Sequence, residues 1–229
     1  MNVIRHLKYI MVSAALSLSL ASCGESGVDG EVEMSCTDIV TFEGNEGDNA
    51  VFSFQKVDDS PLITLTSRRT LDYEGLEPGC RMLIRYNPPD NQAYTSGLIT
   101  LLGAKVITQS ALFTEWSADF DGWDNNPVYL YSAWRTGSYL NVHVRLTYST
   151  DPRVFCLAAN PETLDSPWVD VYLVHRLPGD TDSFERAYYA SFDLSPVWER
   201  PEVEGIRLHV ANSNLDKHIF TFTLMSKYI

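Results

Sequence analysis

Basic residues are scarce in this chain of 229 amino acids. Lys and Arg number 17 against 30 Asp and Glu, so the formal net charge is −13. Proteins bind nucleic acids mainly by neutralising phosphates with Lys and Arg, and an acidic surface repels phosphate backbones and anionic headgroups alike. The composition argues against a nucleic-acid partner, and we predict none.

The chain begins with an apolar stretch that is too short to span a membrane. Residues 9–20 give about a dozen positions, whereas a membrane-spanning helix needs roughly 20. Arg5 and Lys8 precede the stretch, and the first 22 residues contain no acid. This layout is typical of a secretory signal peptide.

The end of this stretch, Leu20-Ala21-Ser22-Cys23, resembles the bacterial lipoprotein box. In that box small residues admit the signal peptidase, and the cysteine thiol receives diacylglycerol before cleavage. The alternative is a chance cysteine after an ordinary signal peptide. We predict a signal peptide at 1–22, lipidation at Cys23 and an acidic flexible tether at 23–35. The lipid would anchor the protein in the cell envelope, and the outer membrane is the expected location. The protein could face either the periplasm or the exterior.

Cysteine is used sparingly, with four residues in the whole chain. Once Cys23 is assigned to the anchor, Cys36, Cys80 and Cys156 remain, so at most one disulfide can form. None of them lies in a CxxC motif or beside a histidine, which gives metal and redox sites poor support. We predict no metal and no cofactor.

The first half of the chain lacks sustained helical periodicity and predicts β-structure. Short runs rich in Val, Ile, Thr, Tyr and Phe alternate with segments that contain the turn-forming residues Gly, Pro, Asn and Asp. The predicted strands lie at 38–43, 50–57, 62–67, 82–86 and 98–107. Five strands in about 70 residues fit a small closed barrel such as the OB-fold, which we assign to 36–109.

The second half predicts a two-sheet, immunoglobulin-like β-sandwich at 110–229. Its seven predicted strands lie at 128–135, 139–148, 154–157, 169–176, 186–192, 205–210 and 219–226. In the second of them Leu and Val alternate with polar residues, which indicates a buried face and a wet face; Asn141 and His143 fall on the wet face. The fold class is all-β, and we expect the two halves to fold separately.

A series of short motifs, in order along the chain, resembles the NigD-like lipoproteins of Gram-negative anaerobes. After the lipoprotein box come GCRMLIRY at 79–86, NPV at 126–128, GSYLNV at 137–142, YLVHR at 172–176 and SFDLS at 191–195. The resemblance implies an N-terminal OB-like barrel and a C-terminal β-sandwich, in agreement with the strand pattern. The family is named after a bacteriocin-associated locus, so an immunity-type role is one alternative, by name only.

The barrel also predicts the state of the cysteines. In an OB-like barrel the first and fourth strands are antiparallel neighbours, and Cys36 and Cys80 each precede one of them. Their Cα atoms would lie roughly 15 to 20 Å apart, whereas a disulfide needs about 7 Å or less. We therefore predict that Cys36, Cys80 and Cys156 are free thiols.

Catalytic motifs are missing as well. His175 is followed by carboxylates that could support a general base, at Asp180, Asp182 and Glu185. No GxSxG, HExxH or Cys/His arrangement accompanies it. A histidine that ends a strand or bonds a loop carbonyl explains the position better, and we predict that the protein is not an enzyme.

The acidic stretch at 119–126 offers several oxygen ligands, but its spacing does not fit an EF-hand. It also holds Trp123, the tryptophan predicted to lie in a loop, where an exposed ring could stack on a sugar. Two function classes remain: an envelope interaction protein with a protein partner, and a glycan-binding module. The candidate ligand-binding residues are Trp123, Asp121 and Asp124.

Overall fold

The computed structural model describes residues 33–149, 153–177 and 184–223. They belong to one compact unit, Glu33–Ile229. The predicted signal peptide, Cys23 and most of the tether lie outside the described residues. In these ranges no helix is long and apolar enough to cross a membrane.

The first five strands form a closed barrel, as predicted. The order around the barrel is β1-β2-β3-β5-β4, with β3 and β5 parallel and the other neighbours antiparallel. The strands are β1 Cys36–Glu46, β2 Asn49–Phe54, β3 Ile63–Ser67, β4 Arg81–Asn87 and β5 Gly97–Val106. Alternate side chains of these strands point inward, and Phe52, Met82 and Ile84 are fully buried in the barrel core.

The next eight strands form two four-stranded sheets. One sheet has the order β6-β11-β8-β7 and the other β13-β12-β10-β9. The strands are β6 Thr108–Ala111, β7 Tyr129–Thr136, β8 Tyr139–Thr147, β9 Val154–Ala159, β10 Trp168–Arg176, β11 Glu185–Asp193, β12 Gly205–His209 and β13 Ile219–Thr223. Between β11 and β12 lies the one-turn helix α1, Ser195–Trp198, and short 3-10 turns occur at Pro89–Asn91, Ala118–Phe120 and Pro161–Thr163. The all-β class with a barrel and a sandwich is confirmed.

The chain passes from barrel to sandwich through a single residue, Ile107. The strand β6 follows at once and pairs in parallel with β11, so the predicted boundary at 109–110 falls inside β6. Each half has its own hydrophobic core, the sandwich core being centred on residues such as Leu140, Val142 and Phe192. Separate folding of the two halves stays a prediction.

Asn141 is not on a wet face, contrary to the alternation-based expectation. It is fully buried because the barrel packs against this part of the sheet. Its amide donates to Thr136 Oγ1 at 2.8 Å, and its carbonyl oxygen accepts from Ser191 and from Arg81 of the barrel. His143, two residues on, is half-buried between the rings of Tyr131 and Tyr189.

Two buried arginines lie where the barrel meets the sandwich. Arg135 on β7 makes a two-pronged contact with Asp59 of the β2–β3 turn, at 2.8 and 2.6 Å. Arg81 on β4 reaches the other way, from the barrel to Ser191 Oγ at 2.8 Å. Both side chains therefore join the two halves by hydrogen bonds.

The barrel register keeps Cys36 and Cys80 apart, as predicted. Cys36 is opposite Tyr86, whereas Arg81, next to Cys80, is opposite Thr41. All three cysteines of the described ranges are free. Burial raises the pKa of Cys156 to about 11, so this thiol stays protonated and unreactive at neutral pH.

Candidate functional site

The loop between β6 and β7 crosses the outer face of the sheet that contains β9 and β10. Phe120 is its anchor, buried against Cys156, Ala158 and Val174, which point away from the sandwich core. Backbone hydrogen bonds tie the loop to β9: Phe113 N–H donates to Leu157 O at 2.9 Å, and its carbonyl accepts from Ala159 N–H at 2.8 Å. The loop is thus fixed to β9 at Phe113, where it begins, and to the outer face of the sheet at Phe120.

An open groove of about 470 Å³ lies where this loop meets the sheet. Trp116 and Trp123 come from the loop and Tyr172 from β10; the 3-10 turn after β9 completes the lining with Asn160, Pro161 and Glu162. The three aromatic rings meet edge to face: Tyr172 lies 5.6 Å from Trp116 and 4.9 Å from Trp123 between ring centroids. We call this feature the aromatic groove.

The ring of Tyr172 is positioned by a stacked histidine. It stacks on His209 with ring centroids 4.6 Å apart, and His209 Nε2 lies 2.8 Å from Asp170 Oδ1. Arg207 donates to both oxygens of Asp170, at 2.7 and 2.8 Å. The hydrogen bonds from Arg207 lower the pKa of Asp170, so this carboxylate stays ionised and keeps His209 in place behind the tyrosine.

The predicted acids have different positions. Asp121 accepts a hydrogen bond from Trp116 Nε1 at 3.0 Å and so orients one ring of the groove. Asp124 is exposed on the loop and lies outside the groove lining. Among the described residues no group of three His, Cys, Asp or Glu side chains could hold a metal ion. Ligand binding by Trp123, Asp121 and Asp124 stays a prediction.

Sequence reasoning identified Trp123 but missed Trp116 and Tyr172. Trp116 lies seven positions earlier in the same loop. Phe120, which is buried, lies between the two tryptophans in the sequence, so both rings are close to the residue that anchors the loop. Tyr172 lies between the buried Val171 and Leu173, so alternation along β10 could have placed it on the outer face. The contribution of the turn at Asn160 has no sequence signal that we recognise.

His175 is a structural histidine, as predicted. It is 3% exposed, and its Nδ1–H donates to the carbonyl of Asn126 at 2.8 Å. Its Nε2 therefore accepts from Arg153, 3.3 Å away. Burial lowers the pKa of His175, so the ring is neutral and serves to hold the end of the groove loop.

Comparison with known proteins supports the fold. Neither a protein-family model nor a curated protein matches this chain. Among solved structures, a protein of unknown function, DUF1344, from Bacteroides vulgatus is 18% identical, with a TM-score of 0.65 over 86% of this chain and 94% of that one. A NigD-like immunity protein from Bacteroides caccae is also 18% identical, with a TM-score of 0.55 over 82% and 91%.

A Bacteroides fragilis protein named as a candidate lipoprotein is 11% identical, with a TM-score of 0.56 over 83% of this chain and 96% of that one. At these identities the likeness shows a shared fold. The chain thus has the fold of a NigD-like protein, and the resemblance seen in its motifs is supported. None of these three structures carries the name of an enzyme.

Proposed function

We propose that this protein is a lipid-anchored envelope protein that binds a glycan in the aromatic groove and catalyses no reaction. The observation that carries the proposal is the convergence of Trp116, Trp123 and Tyr172 around one open groove beside Asn160 and Glu162. Aromatic side chains offer apolar contact area to the C–H faces of a sugar ring, and amide and carboxylate groups bond its hydroxyls.

The aromatic rings of the groove are already held in place by contacts within the protein. Phe120 anchors its loop, Asp121 orients Trp116, and His209 backs Tyr172. A ligand would therefore meet rings that are already ordered, which lowers the entropy cost of binding. The open shape favours a stretch of a polymer over a small molecule that must be enclosed.

Replacing Trp123 with alanine is expected to weaken glycan binding about tenfold. Loss of one aromatic contact removes roughly 1 kcal/mol beyond its buried area, and 1.4 kcal/mol corresponds to a factor of ten. Binding to a panel of neutral and charged oligosaccharides, followed by calorimetry on the best ligand, measures the effect. Tyr131→Ala is the matched control, because Tyr131 is an exposed aromatic on the other sheet.

Equal binding by folded Trp123→Ala, Trp116→Ala and wild-type proteins would move the ligand away from the groove. Failure of the wild-type protein to bind any oligosaccharide would instead favour the alternative, an envelope protein partner. The immunity-type role implied by the name of one similar structure has no observation in this groove to support it.

The anchor at Cys23 is supported by the charge layout of residues 1–22 and by the lipoprotein box. We expect mass spectrometry of the membrane fraction to find an acylated peptide that begins at Cys23. A Cys23→Ser variant should keep its signal peptide and lose the lipid. A soluble wild-type protein that begins at another residue would contradict the anchor and leave the groove proposal standing.

A further inference from the structure

The two buried arginines at the barrel–sandwich junction differ in their partners. Arg135 is 1% exposed and pairs with the carboxylate of Asp59. Arg81 is 3% exposed and, within the described residues, makes no ion pair. Its hydrogen-bond partners are the neutral oxygens of Ser191, Thr41 and Asn141, at 2.8, 2.7 and 3.3 Å.

An unpaired guanidinium in this position is costly. Buried charges in proteins are normally paired, because removing a charge from water costs several kcal/mol that only an opposite charge or a complete set of hydrogen bonds offsets. Burial lowers the pKa of Arg81 to about 10, and the group is still a cation at neutral pH. A guanidinium has five N–H donors, and three hydrogen bonds leave donors to spare.

A cavity of about 250 Å³ lies beside this guanidinium. Arg81, Gln109, Ser110, Tyr139 and Ser191 line it, so it is built from both halves of the molecule. The ring of Tyr139 fixes one side of Arg81, with the guanidinium carbon 4.3 Å from the ring centroid. In the described part of the chain Ser110 Oγ is buried without a hydrogen-bond partner.

We propose that this junction cavity binds a small oxyanion, a carboxylate or a phosphate group, opposite the guanidinium of Arg81. The anion supplies the missing charge, and the hydroxyl of Ser110 supplies a second donor. One acid, Asp193, also lines the cavity; its Oδ1 accepts hydrogen bonds from the N–H and hydroxyl of Ser195, at 2.9 and 2.6 Å. Within the described residues it makes no ion pair with Arg81, so the guanidinium keeps its uncompensated charge, and a bound anion must lie on the Arg81 side of the cavity, away from this carboxylate. The site is separate from the aromatic groove and does not depend on the glycan proposal.

Anion titrations of the mature chain test the site. The melting temperature is measured in acetate, phosphate and sulfate against chloride at constant ionic strength. An anion that binds only the folded state raises the melting temperature in proportion to the logarithm of its concentration above the dissociation constant. We expect one or more of these oxyanions to give this response at millimolar concentration, and acetate and phosphate together distinguish a carboxylate from a phosphate site.

Ser110→Ala should lower the affinity for the anion about fivefold, which is the usual effect of one lost hydrogen bond. Ser132→Ala, at an exposed position on β7, is the matched control and should leave the titration unchanged. Arg81→Met should abolish the response. If Arg81→Met does not fold, Ser110→Ala decides alone.

Two outcomes would overturn the proposal. The first is no difference between any oxyanion and chloride in the wild-type protein. The second is a rise in melting temperature that is the same in wild-type and Ser110→Ala proteins, since general exclusion of sulfate or phosphate from the protein surface stabilises every variant alike.

Discussion

Replacing Asp59 with alanine is expected to destabilise the protein by about 3 kcal/mol. The side chain of Arg135 is fully buried, and both of its terminal nitrogens bond the Asp59 carboxylate. Removing one partner of a buried pair leaves an uncompensated charge, which costs about 3 to 5 kcal/mol. We place the effect at the lower end because the Asp59 side chain is 33% exposed and Asp58 lies 3.5 Å from Arg135 Nε.

Urea unfolding of Asp59→Ala, Asp58→Asn and the double variant Arg135→Met/Asp59→Ala measures this. Asp58 is the comparison: its side chain is 61% exposed and lies 3.5 Å from the buried Arg135 Nε, and we expect its loss to cost below about 1 kcal/mol because its carboxylate stays largely solvated. Asparagine is the replacement because Asp58 has a φ of +45°, a left-handed conformation that asparagine adopts more readily than alanine. The double variant should be more stable than Asp59→Ala alone, because it contains no buried charge. Equal losses for Asp58→Asn and Asp59→Ala would contradict the role of the Arg135–Asp59 pair.

The same pair predicts part of the acid sensitivity of the protein. The hydrogen bonds from Arg135 lower the pKa of Asp59 in the folded state. A carboxylate with a lowered folded-state pKa contributes stability that is present above its unfolded pKa and lost as the pH falls through the folded value. The difference in stability between wild-type and Asp59→Ala proteins should therefore shrink as the pH falls below about 4.

Most strands were predictable because they bury apolar side chains against a core. Eleven of the thirteen strands have at least two buried side chains. In strands such as β3 and β5 these alternate with less buried residues, which is the period-two signal, whereas β2 and β9 bury continuous, mostly apolar runs. The strand β6 was missed because its sequence, Thr108–Ala111, is short and polar, and none of its residues is buried. Its pairing with β11 comes from tertiary contact.

The junction was not predictable from local pattern. Asn141 lies on the polar side of an alternating strand, and that pattern indicates solvent whenever a single sheet is considered alone. The barrel covers this side, and Arg81, 60 positions away in the sequence, supplies the hydrogen bond that allows an amide to be buried. The aromatic groove shows the same limit: Trp123 could be suspected, but its proximity to Tyr172 depends on how the loop crosses the sheet.

The Gly205→Ala substitution is expected to lower the free energy of unfolding by about 3 kcal/mol, and the cause is steric. Gly205 is the first residue of β12 and pairs with Trp168 on one side and with Thr223 on the other. A Cβ atom there would lie 2.6 Å from the carbonyl oxygen of Phe222 and 2.7 Å from the ring of Trp168. An aromatic ring packs across this glycine, as is common for glycines in sheets, and leaves no room for a methyl group.

The cost arises because the closest contact is backbone. A flexible side chain could turn away, but moving the Phe222 carbonyl shifts β13 relative to β12, and overpacking of this kind costs about 1 to 3 kcal/mol. Gly103 in β5 is the matched control: nothing lies within 4 Å of its Cβ position. Gly103→Ala should be neutral or gain up to about 1 kcal/mol, because alanine reduces the freedom of the unfolded chain. Thermal unfolding of the two variants decides, and equal stabilities would show that β12 and β13 separate more easily than their contacts indicate.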